Sequence, residues 1–315
     1  ETENQIIINP IAKCENGFAG EYPCNDYDLL THITLEEIGD TETTGSNCWG
    51  WVDPISKKEY ALMGTNQGVT FIDISNPKEA IILGTLKTKT VDNPKRDIKV
   101  HNSIAYIVSE AEGHGMQMFN LGRLKDVKDP PVEFTSDREY EGFGSANSIV
   151  INEKNSFGYA LGTKTFSGGP HFMDLNVNFK PKAVGGFSDN SYANEAQVVT
   201  YTGPDSDYFG KEILIGSNSS EVVLVDITDK ENPKKITSFT YTNIGYTHRG
   251  LFTEDFRYFI FGDELDEINN GVNTRTIVYD FTDLDNPVHH FDYEGSNAAI
   301  DHNGYIKGNF YYQAN

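Results

Sequence analysis

Short apolar runs closed by an acidic or amide turn recur along this chain. The clearest is Val222-Val-Leu-Val-Asp-Ile-Thr-Asp-Lys-Glu-Asn-Pro233, and the phrase returns as Val69-Thr-Phe-Ile-Asp-Ile-Ser-Asn-Pro77 and Thr276-Ile-Val-Tyr-Asp-Phe-Thr-Asp-Leu-Asp-Asn-Pro287. Looser copies are Met116-Gln-Met-Phe-Asn-Leu and His171-Phe-Met-Asp-Leu. Aligned on Asp73, Asn120, Asp174, Asp226 and Asp280, the copies recur roughly every 50 residues, the period of four-stranded blades arranged about an axis. The pattern predicts an all-β fold, a β-propeller of six or seven four-stranded blades, five of them complete in this sequence.

Each blade has its expected strands. Blade one runs from Trp49 to about Leu86, blade two from Asp97 to about Phe134 and blade three from Asn147 to about Phe187. Blade four runs from Ala196 to about Phe239 and blade five from His248 to about Tyr293. A sixth opens at Ile300 and reaches Asn315 after two strands, so the last blade is expected to be incomplete here and to continue beyond Asn315 or meet a partner. Asp28 to Gly39 has the composition of an outer strand with no repeat phrase ahead of it. It is expected to close the last blade from the amino end, hiding sheet edges. Residues 1–25 carry no blade pattern and form an N-terminal extension, and 26–315 form the propeller.

Composition adds a compartment and a charge. Cys14 and Cys24 sit in a Gly- and Asn-rich segment, a spacing that reads as a disulfide and hence an oxidising compartment. Cys48, beside a Trp in an expected buried strand, reads as a core thiol. The net charge is −22, which disfavours nucleic acid and anionic lipid and favours cations or cationic partners. No apolar run is long enough to span a bilayer.

In a propeller the innermost strands line the axis, and polar residues stand where those strands begin. Trp49, Asn147, Asn194, Gln197, His248, Arg249, His302 and Asn303 are therefore candidate ligand-binding residues, joined by Glu110 and His114 from a neighbouring loop. His248 and His302 read either as channel residues satisfied by neighbours and water or as ligands, metal ligands included. Glu195 and Asp301, with the two histidines, are the candidates for acid–base catalysis. Arg249 either clamps an anionic ligand or neutralises the acidic groups around it. Of Trp49 and Trp51, one reads as a core residue and the other as packing or as a stacking surface for a sugar. The acidic loop offers Asp263, Glu264 and Asp266 as oxygen ligands for Ca²⁺. The Asp229 and Asp283 turns recur in step with the fold and read as Asx-type turns.

The phrase Val222-Val-Leu-Val-Asp226, with Glu21-Tyr-Pro-Cys-Asn-Asp-Tyr-Asp-Leu-Leu30, Cys48-Trp-Gly-Trp51, Gly113-His-Gly-Met-Gln117, Gly245-Tyr-Thr-His248, Asp263-Glu-Leu-Asp-Glu267 and Ala299-Ile-Asp-His-Asn303, resembles the choice-of-anchor B family of LVIVD-repeat proteins. The resemblance implies a secreted propeller held at the cell surface by a carboxyl-terminal tail. Asn147-Ser148 and Asn194-Glu195 stand where the family pattern carries His-Asn and His-Asp, which weakens a ring of imidazoles as a metal site. Recognition of a carbohydrate or a surface protein on the channel face, with Ca²⁺ as a possible aid, is the expected function. A polysaccharide-acting hydrolase or lyase and a structural subunit of a surface assembly are the alternatives.

Overall fold

A computed structural model describes residues 11–188 and 193–314. It divides into two compact units, Glu1–Ile107 with Gln117–Arg138, and Val108–Met116 with Glu139–Asn315. Strands dominate both, and the four-stranded antiparallel sheets are the blades of a β-propeller.

The repeat phrase has a structural counterpart. In blades one, three, four and five the third strand pairs with the outer strand through a register shift, at Phe71/Ile72, Phe172/Met173, Leu224/Val225 and Val278/Tyr279. The shift falls at the same place in each copy, just before the repeat Asp, and such a bulge bends and twists the outer strand. The Asp then closes the turn. Asp73 accepts from the Ser75 amide at 3.0 Å, Asp174 from Asn176 at 2.8 Å, Asp226 from Thr228 at 3.0 Å and Asp280 from Thr282 at 2.8 Å. These are Asx turns, and the Asn176 amide holds the Asp174 carboxyl below its ordinary range. Asp229 and Asp283 accept from amides two and three residues on in the same way.

In the first unit, Gly45–Val52, Glu59–Thr65, Gly68–Asp73 and Ile81–Lys87 form blade one. A fifth strand, Val132–Phe134, adds in parallel to Ile81–Lys87. The repeat pattern places Phe134 at the end of blade two, but the second sheet takes Arg138–Tyr140 as its outer strand, in the order Arg138–Tyr140, Met116–Asn120, Ile104–Ser109, Arg96–His101. Two features draw Phe134 to blade one. Gly84, at φ +156°, has no Cβ to collide with the Val132 carbonyl, and the Phe134 ring packs edge-on to Phe71 and Phe119 at 5.6 and 5.0 Å.

The N-terminal extension is a small three-stranded sheet, Cys14–Glu15, Phe18–Ala19 and Tyr22–Pro23, stapled by the Cys14–Cys24 disulfide. The following segment is not the outer strand that its composition suggests. Leu29 makes one bridge to Ala12, and Leu35–Ile38 is a short helix. Thr34 and Glu37 satisfy each other's backbone amides as a capping box, a local arrangement that beats strand propensity over so few residues. Cys48 is exposed, on the face of its strand turned away from the core.

The second unit holds blade three (Ser148–Asn152, Phe157–Leu161, His171–Asp174, Lys182–Gly186), blade four (Glu195–Thr200, Glu212–Asn218, Glu221–Asp226, Lys234–Phe239) and blade five (Thr247–Phe252, Tyr258–Asp263, Arg275–Asp280, Val288–Glu294). Gly304–Lys307 and Phe310–Gln313 form a two-stranded sixth sheet. Phe252, Phe259, Phe261 and Phe281 fill the space between blades four and five with Ile215, Val222 and Leu224. Polar side chains tie successive inner strands together. Ser148 donates to the Asn194 carbonyl at 2.8 Å, and Gln197 accepts from the Phe252 amide at 2.8 Å.

Candidate functional site

The second unit gathers the charged entry positions of its inner strands. His248 comes from the start of Thr247–Phe252, and His302 lies just before Gly304–Lys307. Their rings are 4.3 Å apart between centroids and tilted by 35°. Glu264, the first residue past Tyr258–Asp263, reaches both: its oxygens lie 3.8 Å from His248 Nε2 and 3.8 Å from His302 Nε2. The three ligating atoms fall within 4.8 Å of one another. His248 is buried, Glu264 is a quarter exposed and His302 faces solvent.

The backbone under these side chains is fixed. Asp263 is fully buried; its Oδ1 accepts from the amides of Tyr246 (2.6 Å) and Leu265 (3.1 Å), and its Oδ2 from the Gly245 amide (2.7 Å) and the Tyr241 hydroxyl (2.6 Å). The Glu264 amide donates to the Tyr246 carbonyl at 2.9 Å, and the Thr247 amide to Ser219 at 2.8 Å. His302 and Asn303 exchange backbone bonds with Ala314 at 2.8 and 2.9 Å. Donors held this way need little reordering to receive a ligand.

Tyr246 is the centre of the polar surroundings. Burial pushes its hydroxyl pKa up, and the carboxylates of Glu264, Glu110 and Glu195 push it further in the same direction, against the Ser219 hydroxyl. Glu110 is held by Asn147 Nδ2 at 3.0 Å. Glu195 is buried at the head of blade four. Glu110, Glu195 and Glu264 thus act on one phenol, with Asn147 bonded to Glu110, and the imidazoles of His248 and His302 meet at Glu264.

Other candidates lie elsewhere. His114 is buried in its loop with Nδ1 3.0 Å from the Gly115 carbonyl. Gln197 is taken up by the inter-blade bond to Phe252, and Asn194 supplies backbone groups to Ser148 and Ser217. Asn303 Oδ1 has no hydrogen-bond partner among the described residues and stands next to His302. Arg249 follows His248 within a register shift of the inner strand; its guanidinium lies 4.9 Å over the Tyr305 ring, and its charge acts on Tyr311 against that of Asp301. Asp301 is fully buried and bonded to Gln313 Nε2 at 2.7 Å. Its pKa is pushed up to about 8 by burial and then by Glu267 and Asp266. It packs on Gly262. In the first unit, Trp49 is half-buried against the core with the Lys99 ammonium 4.8 Å from its ring, and Lys99 pairs with the buried Asp97 at 2.7 Å.

The three carboxylates of the acidic loop are engaged differently. Asp263 is fully engaged by the amides and the tyrosine hydroxyl, and Asp266 pairs with Arg275 at 2.8 Å in a buried ion pair. Only Glu264 of the three faces the site, and one carboxylate beside two imidazoles does not suit a hard cation that takes six to eight oxygens. That donor set suits a borderline dication. Sequence reading placed Glu264 with its acidic neighbours and passed over Tyr246. The phrase Gly245-Tyr-Thr-His248 carries the signal, a tyrosine at the entry of the strand two residues before the histidine.

No protein-family model matches this chain, and no curated protein matches it. Among solved structures it is similar to the hydrazine synthase of Kuenenia stuttgartiensis (10% identity, 81% of this chain and 70% of that one, TM-score 0.58). It is also similar to a hypothetical selenium-binding protein of Sulfolobus tokodaii (12% identity, 78% and 61%, TM-score 0.54). A third is a periplasmic gluconolactonase of Pseudomonas aeruginosa (7% identity, 78% and 69%, TM-score 0.54). At these identities the likeness is one of fold, and it agrees with the propeller built from the blades.

Proposed function

We propose that this chain is a secreted, cell-surface-associated propeller of the LVIVD-repeat, choice-of-anchor B kind. In this reading the inner-strand face of its second unit recognises a carbohydrate or a surface protein. The observation that carries it is the grouping of His248, His302 and Glu264, with Glu110 and Glu195 near enough to act on the Tyr246 hydroxyl. A face with carboxylates, imidazoles and a phenol offers the donors and acceptors that fix a polyhydroxyl ligand or a cationic side chain. The disulfide supports an oxidising compartment. Among the described residues no helix is long and apolar enough to cross a membrane, so attachment would come from another part of the protein.

The test is a glycan array followed by calorimetry on each hit, with Tyr246→Phe and Glu195→Gln alongside the parent. Recognition on this face predicts that both variants weaken binding at least several-fold while keeping the thermal transition. Hits that bind both variants as tightly as the parent place recognition elsewhere. A second reading, a polysaccharide hydrolase or lyase, is favoured by the imidazole–carboxylate grouping of His248, His302 and Glu264. Release of reducing ends or unsaturated sugars from an array hit would distinguish it from binding alone.

A further inference from the structure

We propose that His248, His302 and Glu264 form a binding site for one divalent transition-metal ion of the zinc type. The proposal deepens the ligand-recognition reading, because the ion would be what this face presents to an oxygen of its ligand.

The spacing is the first argument. At 3.8 Å, neither imidazole nitrogen hydrogen-bonds to Glu264, since such a bond needs a separation near 2.7–3.2 Å. Yet all three donors converge. A tetrahedral ion with bonds of about 2.1 Å holds its ligands about 3.4 Å apart, and one with opposed ligands about 4.2 Å. Both gaps to Glu264 lie between these limits, and all three ligand atoms lie within 4.8 Å of one another, so small side-chain adjustments bring them onto one ion.

Chemistry is the second. Two imidazoles and one carboxylate leave coordination positions open to water or to a ligand, the donor number of an accessible site and not of a closed structural one. The partial exposure of His302 and Glu264 provides the way in.

Preorganisation is the third. Each donor stands on backbone fixed by bonds that the metal does not supply: Asp263 under Glu264, Ser219 under His248, and Ala314 under His302. Asp263 receives four donors from around the strand end, which fixes the direction in which the next residue leaves. The other acidic grouping among the described residues, Asp205, Asp283 and Asp285, lacks these properties. Its oxygens accept from Leu284, Asp285, Asn286 and Tyr208, as turn carboxylates do.

The test uses the tag-free chain, stripped with a chelator and titrated with Zn²⁺ and with Co²⁺. One ion per chain is expected, with a visible Co²⁺ spectrum of mixed nitrogen and oxygen donors. H302Q and E264Q should each lower affinity by about tenfold or more, on the scale at which even outer-shell partners matter. H302Q alters a solvent-facing side chain and should keep the parent's thermal transition in the stripped state. D285N, in the other acidic grouping, should bind as the parent does. No stoichiometric binding, or binding unchanged in both H302Q and E264Q, or binding lost in D285N, overturns the site. Because the readout is the ion alone, a chain that binds metal but no glycan keeps this proposal and loses the recognition reading. One that binds glycan but no metal does the reverse.

Discussion

Asp263 accepts the backbone amide of Tyr246 at 2.6 Å, and that bond ties the entry of blade five's inner strand to the exit of its second strand. His248 and Glu264 leave from the two sides of this tie. The buried carboxylate is therefore the support on which the imidazole–carboxylate grouping stands.

Replacing it should cost much stability. Asp263→Ala leaves three amides and a tyrosine hydroxyl without their acceptor, and a loss of roughly 3–5 kcal/mol is expected. Asp263→Asn keeps one acceptor oxygen and should lose less. Urea unfolding followed by fluorescence gives both values, and an Asp263→Ala chain within about 1 kcal/mol of the parent would show that water replaces the carboxylate.

At the other end of the second unit a buried charge is fully satisfied. Glu212 accepts from the Tyr159 hydroxyl and from Asn152 at 2.8 Å, and pairs with Lys230 at 2.6 Å. Burial and the Glu212 charge push the Tyr159 phenol well above its ordinary range. Lys230→Met would strand the carboxylate and should cost about 3–5 kcal/mol. Adding Glu212→Gln should recover a large part of that loss, so a double-mutant cycle is expected to be strongly non-additive. Additive losses would mean that solvent screens the pair.

His171 should make stability depend on pH. It is buried among Tyr140, Phe143 and Phe166 and bonded to Tyr140 and Thr165. Burial lowers its pKa below 6.5. Between the folded value and 6.5 the unfolded chain binds a proton that the fold excludes, so stability rises with pH across that window. The full contribution is present above 6.5 and is lost as acid carries the pH down through the folded value. His171→Phe should lose about 1–2 kcal/mol at neutral pH with its hydrogen bonds and show a flatter profile below 6.5. Denaturant midpoints taken from neutral pH down to about 5 make the comparison, and parallel profiles would place the dependence elsewhere.

Reducing the Cys14–Cys24 disulfide should be a local event. The closed loop is short, and its chain-entropy contribution is about 2–3 kcal/mol to the segment it closes. Hydrogen exchange after reduction is expected to speed up across residues 14–24 and leave the blade strands unchanged. Faster exchange in blade one as well would show that the extension supports the fold beyond its own sheet.

The blades are legible because the copies share one structure, an apolar strand closed by a polar turn, with an Asp that closes it and a bulge just before it in four of the five. The meeting of His248 and His302 fits their places at the entries of successive inner strands. What sequence did not show is where side chains are taken up by partners distant in the chain. Gln197 is claimed by Phe252, Asp263 by Tyr241 and three backbone amides, and Arg249 by Tyr305. Local competition misled at Leu35–Ile38, where a capping box outweighs strand composition. Phe134 was misplaced because its aromatic partners, Phe71 and Phe119, lie on different repeats.

The parallel strand Val132–Phe134 closes off the flank of Ile81–Lys87, whereas Val288–Glu294 ends its sheet with Val288, Phe291 and Tyr293 turned to solvent. Self-association on heating should therefore begin at 288–294, by recruitment of like strands from other copies. A lysine at Phe291 would then do more for shelf life in concentrated solution than any substitution near residue 84.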